Sequence, residues 1–296
     1  MTSLLENDFY AAYRTQEDIY AAFDDLEATY PTVASCLNLG ITYEGRSTRA
    51  IRLTNSASTS PKSQFVIDAG YHGHEWAAIS TCVYLIKKFI GSPLLDHCEI
   101  YFIPVVNGDG FEFTNSIDRM YSKNRYNTGV DLQRNFNFHW GDAGGSNTPS
   151  SDEYYGLNAA SENETQVMQN FFATLTNFKG YINLGCYGQY ILSPWGWSPE
   201  PCEDASAQSR MMGIMASAIS AAGYSTQYQY DSYTNLLYPQ SGTSVDYVYG
   251  VHHVVHSYHF RLRDTGLYGY LLPVNKLIPL GEEIFAAINV MMMDIT

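Results

Sequence analysis

The stretch Gly70-Tyr71-His72-Gly73-His74-Glu75-Trp76 carries the first side chains in the chain that could do chemistry together. His72 and Glu75 are separated by two residues, so a tight turn can aim both at one cation. An imidazole and a carboxylate are ordinary zinc ligands. On its own such a pair is a weak signal, because a His and a Glu at this spacing are most often surface residues. Its setting raises its value. The apolar run Gln64-Phe65-Val66-Ile67-Asp68-Ala69-Gly70 reads as a buried strand, and Glu75 to Phe89 has the apolar spacing of a helix. The pair therefore stands at the carboxyl end of a strand, where α/β sheets bind ligands.

The elements that must position this turn alternate between strand-like and helix-like patterns. That predicts an α/β fold: a mixed, mostly parallel twisted sheet of about eight strands, with helices on both faces. Thr15 and the acidic residues after it open a helix over 16–29. Strands are expected at 38–44, 49–54, 64–70, 99–106, 181–184 and 251–262. Helices are expected at 75–89, 205–222 and 281–293. Ser161-Glu162-Asn163-Glu164 reads as a capping box opening a helix to about 175, which also accounts for the Asn163-Glu164-Thr165 sequon. Residues 107–155 read as loop-rich. No repeat, linker or composition shift divides residues 1–296, so a single domain is expected.

The chain has 296 residues and a net charge of −14, which argues against a nucleic-acid backbone as partner. It has 45% hydrophobic and 16% charged residues, enough for a sizeable core. No apolar run is long enough for a membrane span. The first residues lack the basic and apolar regions of a signal peptide. Five cysteines without CxxC spacing indicate neither a zinc knuckle nor a disulfide framework.

Further blocks follow the first motif in order. They are Pro104-Val105-Val106-Asn107-Gly108-Asp109-Gly110-Phe111, Gly129-Val130-Asp131-Leu132-Gln133-Arg134-Asn135-Phe136, Tyr187-Gly188-Gln189-Tyr190, Tyr238-Pro239-Gln240-Ser241-Gly242 and Arg263-Asp264-Thr265-Gly266. This ordered set resembles the zinc metallocarboxypeptidases of the pancreatic carboxypeptidase A and B type, from about Phe9 to Met293. The resemblance implies that His72 and Glu75 match two zinc ligands and that Asp131 orients the first of them. It implies that Arg134, with Gln133 in place of the usual asparagine, holds a substrate's C-terminal carboxylate, a task suited to guanidinium. Tyr238 matches the mobile tyrosine that closes over substrate. Val245 matches the floor of the specificity pocket, where an apolar residue suits an apolar or aromatic terminus. The chain begins where the mature enzyme begins, with no pro-segment. A secreted location follows from the resemblance, whereas the missing signal peptide and the odd cysteine count allow an intracellular one.

Three positions depart from the family's pattern where its chemistry is most demanding. The third zinc ligand is Gly185, followed by Cys186, which strand alternation turns to the opposite face. The glutamate that activates the zinc water is Arg261, which stays protonated and cannot act as a base. The arginine that polarises the scissile carbonyl is Ser122. A milder change puts His74 in place of an arginine of the outer substrate subsite. General-base catalysis is worth roughly 100- to 10,000-fold, and one oxyanion donor about 100- to 1,000-fold. These losses are not simply multiplicative, but together they predict abolition of the family's reaction.

The resemblance therefore points to a pseudoenzyme with a binding, storage or structural role, without a cofactor. Its cleft would take a peptide C-terminus or another small ligand through Arg134, Gln133, Tyr238, Val245 and His74. Pairing Gly185 with Arg261 predicts that the guanidinium fills the space of zinc and the lost histidine and forms an ion pair with the otherwise uncompensated Glu75. His259 shares a face with Arg261 and is the one other side chain placed to approach. In the family its position lines the specificity pocket. His252, His253 and His256 read as strand histidines with no metal role. Two alternatives remain at this point. One is an active zinc carboxypeptidase with rearranged ligands that releases apolar or aromatic residues. The other is a cavity repurposed for a small or aromatic ligand.

Overall fold

The computed structural model describes residues 3–296. Its centre is one eight-stranded mixed sheet in the order β1-β2-β4-β3-β5-β8-β6-β7. The strands are β1 (Ala34–Ile41), β2 (Ser47–Leu53), β3 (Ser63–Ala69), β4 (Cys98–Ile103), β5 (Phe178–Cys186), β6 (Tyr190–Ser193), β7 (Gln229–Ser232) and β8 (His256–Leu262). The central run β4-β3-β5-β8 is parallel, β2 and β6 pair onto it antiparallel, and β1 pairs antiparallel with β2. Buried on both faces, the parallel strands read as continuous apolar runs.

Helices cover both faces. They are α1 (Gln16–Thr29), α2 (Trp76–Phe89), α3 (Gly108–Ser116), α4 (Asn163–Phe172), α5 (Ala205–Ala221), the short α6 (Tyr233–Leu236), α7 (Ser244–His252) and α8 (Leu277–Ile295). One core cluster joins α1, α2, α5 and α8 to the sheet through residues such as Phe23, Ile86, Met215 and Ile288. The second, around Tyr71, Phe136, Phe172 and Val248, joins α4 and α7 to the other face. Among the described residues no helix is long and apolar enough to cross a membrane, and all five cysteines are free.

The helix over 16–29 forms with Thr15 and Asp18 in a reciprocal cap. Several other expectations shift. The stretch 107–155 contains α3, whose short apolar pattern is broken by three glycine or asparagine positions yet whose N-cap Asn107 accepts from Gly110 N–H. Helix α4 begins at Asn163 with Glu162 as its N-cap and no side-chain cap bond. Ser161 instead donates to Glu162, and Glu162 to Asn124 is a buried contact, so the expected capping box is absent. The strand expected over 251–262 starts at His256. His252 closes α7 and His253 adopts a left-handed conformation at φ 56°, ending the helix. His252 is therefore the last helical residue and His253 the cap that ends the helix, and neither is a strand residue.

Candidate functional site

The carboxyl ends of β3, β5 and β8 meet the α3–β5 connection at a cavity of about 480 Å³. His72, His74, Glu75, Ser122, Asp131, Arg134, Tyr238 and Arg261 all reach its wall, with Asp118, Asp152 and Glu153 at an acidic rim. The turn after β3 depends on Gly70, at φ 70°, where a Cβ would sit 2.8 Å from the Pro104 carbonyl. That turn carries His72 across to Asp131 and makes Glu75 the N-cap of α2.

His72 lies between two carboxylates. Its Nε2 is 2.7 Å from Asp131 Oδ1, and its Nδ1 is 3.4 Å from Glu75 Oε1. Burial alone would depress its pKa, but Asp131 and then Glu75 outweigh burial and hold it up at about 10. Burial likewise pushes the Glu75 carboxyl up, and His72 more than reverses this, leaving it below the usual range. Glu75 Oε1 also accepts the Cys186 N–H at 3.0 Å. Asp131 caps a single 3₁₀ turn, Leu132–Arg134, accepting Gln133 N–H at 3.0 Å and Arg134 Nε at 2.9 Å. The imidazolium of His72 thus supplies the positive charge that two buried carboxylates require.

Arg261 does not pair with Glu75: among the described residues no ion pair joins them within 4.0 Å. The expected replacement of zinc by that pair is corrected. Arg261 extends toward the cavity mouth, where its Nη2 donates to Tyr233 Oη at 3.3 Å and Tyr238 Oη at 3.4 Å. Its Nε is buried without a partner. The physical reason lies in Glu75, which His72 and the Cys186 amide already satisfy.

The space that Gly185 vacates is taken by His259. A Cβ on Gly185 would meet His259 Cε1 at 2.9 Å, His259 Nε2 at 3.2 Å and Glu75 Oε1 at 3.2 Å. His259 Nδ1 is hydrogen-bonded to Asn183 Oδ1. Asn183 Nδ2 donates to Asp68 Oδ1 at 2.8 Å, which orients the amide and makes His259 Nδ1 the donor. Burial, then Arg261, lowers the His259 pKa to about 3, so the ring is neutral. The β5–β8 register sets Asn183 beside His259 and Gly185 beside Arg261. That parallel register is the signal that could have placed His259 here, and it is not visible in either strand alone.

The other expected ligand contacts divide. Arg134 is buried, donating from Nη2 to Glu153 Oε1 at 3.1 Å, with Nη1 lacking a partner. His74 lines the wall, its Nδ1 2.9 Å from the Met120 carbonyl and its ring 3.8 Å from that of Tyr270. Tyr238 is half exposed at the mouth. Gln133 is corrected: its amide nitrogen donates to Asn183 and Ser244, and its oxygen accepts Ser244 N–H, all at 3.1 Å, so no donor faces the cavity. Val245 is also corrected. On α7 it is buried in the second core cluster and away from the cavity wall, because helix periodicity turns it inward. Cys186 has its thiol in the first core cluster, as strand alternation predicts, and only its amide serves the site.

The zinc carboxypeptidase family model matches residues 19–287. The chain belongs to the zinc carboxypeptidase family. It is 34% identical to bovine carboxypeptidase A1 over 297 residues, covering 96% of this chain and 70% of that protein. It is 33% identical to carboxypeptidase B of Astacus astacus over 294 residues, covering 95% of this chain and 96% of that protein. Among solved structures it resembles bovine thrombin-activatable fibrinolysis inhibitor in complex with a tick carboxypeptidase inhibitor. The TM-score there is 0.90 at 29% identity, covering 97% of this chain and 98% of the other.

A zinc carboxypeptidase needs three protein donors around its metal. His72 Nδ1 and Glu75 are in place here, with Asp131 behind the histidine. Gly185 supplies no donor, and the volume a side chain would need there is filled by His259. The family's donor set does not fit, so no reaction step is assigned to zinc in that arrangement.

Proposed function

We propose that this chain is a non-hydrolytic zinc carboxypeptidase homologue whose cavity binds a carboxylate-bearing ligand, foremost the C-terminus of a peptide. The observation that carries the reading is Arg261, a permanent cation hydrogen-bonded to Tyr233 and Tyr238 at the wall where the family resemblance calls for a general base. A guanidinium cannot take a proton from water at physiological pH. Ser122, at the oxyanion position, offers no cation.

Binding is supported by what remains. Arg134 is held rigidly by Asp131, keeps Nη1 free and places Nη2 against the exposed Glu153, a carboxylate that a ligand can displace. Arg261 and Tyr238 stand at the opening of the same cavity. A peptide acid would satisfy Arg134 by a charge-assisted pair. Calorimetric titration with a peptide ending in phenylalanine, and with its C-terminal amide, tests this. The acid is expected to bind and the amide to bind at least tenfold more weakly. Equal affinity for both would overturn the reading.

A further inference from the structure

We propose that His72, His74 and Glu75 form a site for one divalent transition-metal cation of the zinc or cobalt class, with His74 as third donor in place of residue 185. The nitrogen and oxygen donors of these three residues lie within 4.8 Å of one another. Zinc bonded to such donors at about 2.0–2.1 Å holds them roughly 3.3 Å apart in a tetrahedron, so side-chain rotations that close the set by about 1.5 Å suffice.

Two contacts outside the set prepare both rings. His72 Nε2 is directed at Asp131 Oδ1 at 2.7 Å, leaving Nδ1 on the Glu75 side, where a bound cation displaces the Nδ1 proton to solvent and takes over the positive charge that the two carboxylates require. His74 Nδ1 faces the Met120 carbonyl at 2.9 Å, an acceptor that requires N–H there and leaves the Nε2 lone pair free. A carboxylate behind one ligating histidine and a backbone carbonyl behind the other is the outer arrangement that orients metal-bound imidazoles. Glu75 Oε1 accepts the Cys186 N–H at 3.0 Å and faces His72 Nδ1, which fixes the carboxylate beside that imidazole donor. His74 is further fixed by its contact with the Tyr270 ring, and its carbonyl accepts from Arg119 at 2.9 Å. Two imidazoles and one carboxylate suit borderline divalent ions over magnesium or calcium. All three residues line the cavity, so a fourth position opens toward a ligand.

The test is cobalt titration of chelator-treated protein, followed by visible absorption and calorimetry. The expected result is one Co²⁺ per chain with ligand-field bands, and at least tenfold weaker binding in His74→Gln. Zinc X-ray absorption of the unaltered protein supplies a readout that does not depend on the variant's folding, and two imidazoles per zinc are expected. Absence of Co²⁺ binding, unchanged affinity in His74→Gln, or a single imidazole per zinc would each overturn the site. Such a failure leaves peptide binding untouched, whereas peptide hydrolysis by the loaded protein would contradict the non-hydrolytic reading and not this site.

Discussion

His259 stands over Gly185 so closely that a single methyl group on the glycine would lie 2.9 Å from its Cε1. The two positions lie diagonally on neighbouring parallel strands, where Asn183 is the register partner of His259 and Arg261 that of Gly185, and the neutral ring is pinned through Asn183 to Asp68. The space beside Gly185 is thus filled by an imidazole from β8.

Gly185→Ala is therefore expected to destabilise the fold by about 1–3 kcal/mol, the usual range for overpacking a well-filled interior. Combining it with His259→Ala should make the two changes non-additive, since one relieves the clash caused by the other. Denaturant unfolding of the two single variants and the double variant measures the coupling.

Arg134→Gln should weaken binding of carboxylate-terminated peptides by about 10- to 100-fold, from the roughly 1.5–3 kcal/mol of a hydrogen bond to a charged group. The same change should leave binding of the peptide amide almost unchanged. Parallel calorimetric titrations check both.

Glu153→Gln should act in the opposite direction. The Glu153 side chain is largely exposed, and its carboxylate occupies Arg134 Nη2. An exposed ion pair contributes about 0.2–1 kcal/mol, so removing the competing charge should tighten peptide binding by no more than about fivefold. Weaker binding in this variant would show that Glu153 helps to hold the ligand instead.

Asp68 gives a pH signature of stability. Burial raises its pKa to about 7, against hydrogen bonds from Asn183, Tyr181 and Tyr71 that lower it. The folded state then holds a proton between roughly pH 4 and 7 that the unfolded state has released, so this group's contribution falls as pH rises through that window. Loss of a part of about 4 kcal/mol, the ceiling set by three pKa units, is expected by neutral pH. Asp68→Asn should flatten the slope in thermal or denaturant unfolding measured across the window.

The sheet and its helices were legible because buried parallel strands and amphipathic helices leave distinct periods in the chain. Ser63–Ala69 followed by Trp76–Phe89 shows this most directly. Asp131 behind His72 was legible through the resemblance alone, since no local pattern connects residues 59 apart. Other features were not legible. The ion pair expected from Arg261 to Glu75 followed from volume and charge at two positions. The choice between Arg261 and His259 depended on strand register and on hydrogen bonds that His72 and Cys186 already made to Glu75. Gln133 was expected to donate to a ligand, but Asn183 and Ser244, distant in sequence, use its amide. The α4 cap failed because Glu162 is drawn to Asn124 by a long-range contact that outweighs the local motif.

The most direct test of the non-hydrolytic reading is mass spectrometry of a phenylalanine-terminated peptide incubated with the protein in the presence of zinc. Recovery of the intact peptide, with no released phenylalanine beyond a protein-free control, is the predicted result. Release of many equivalents of phenylalanine per chain, lost in a Glu75→Ala variant, would contradict it.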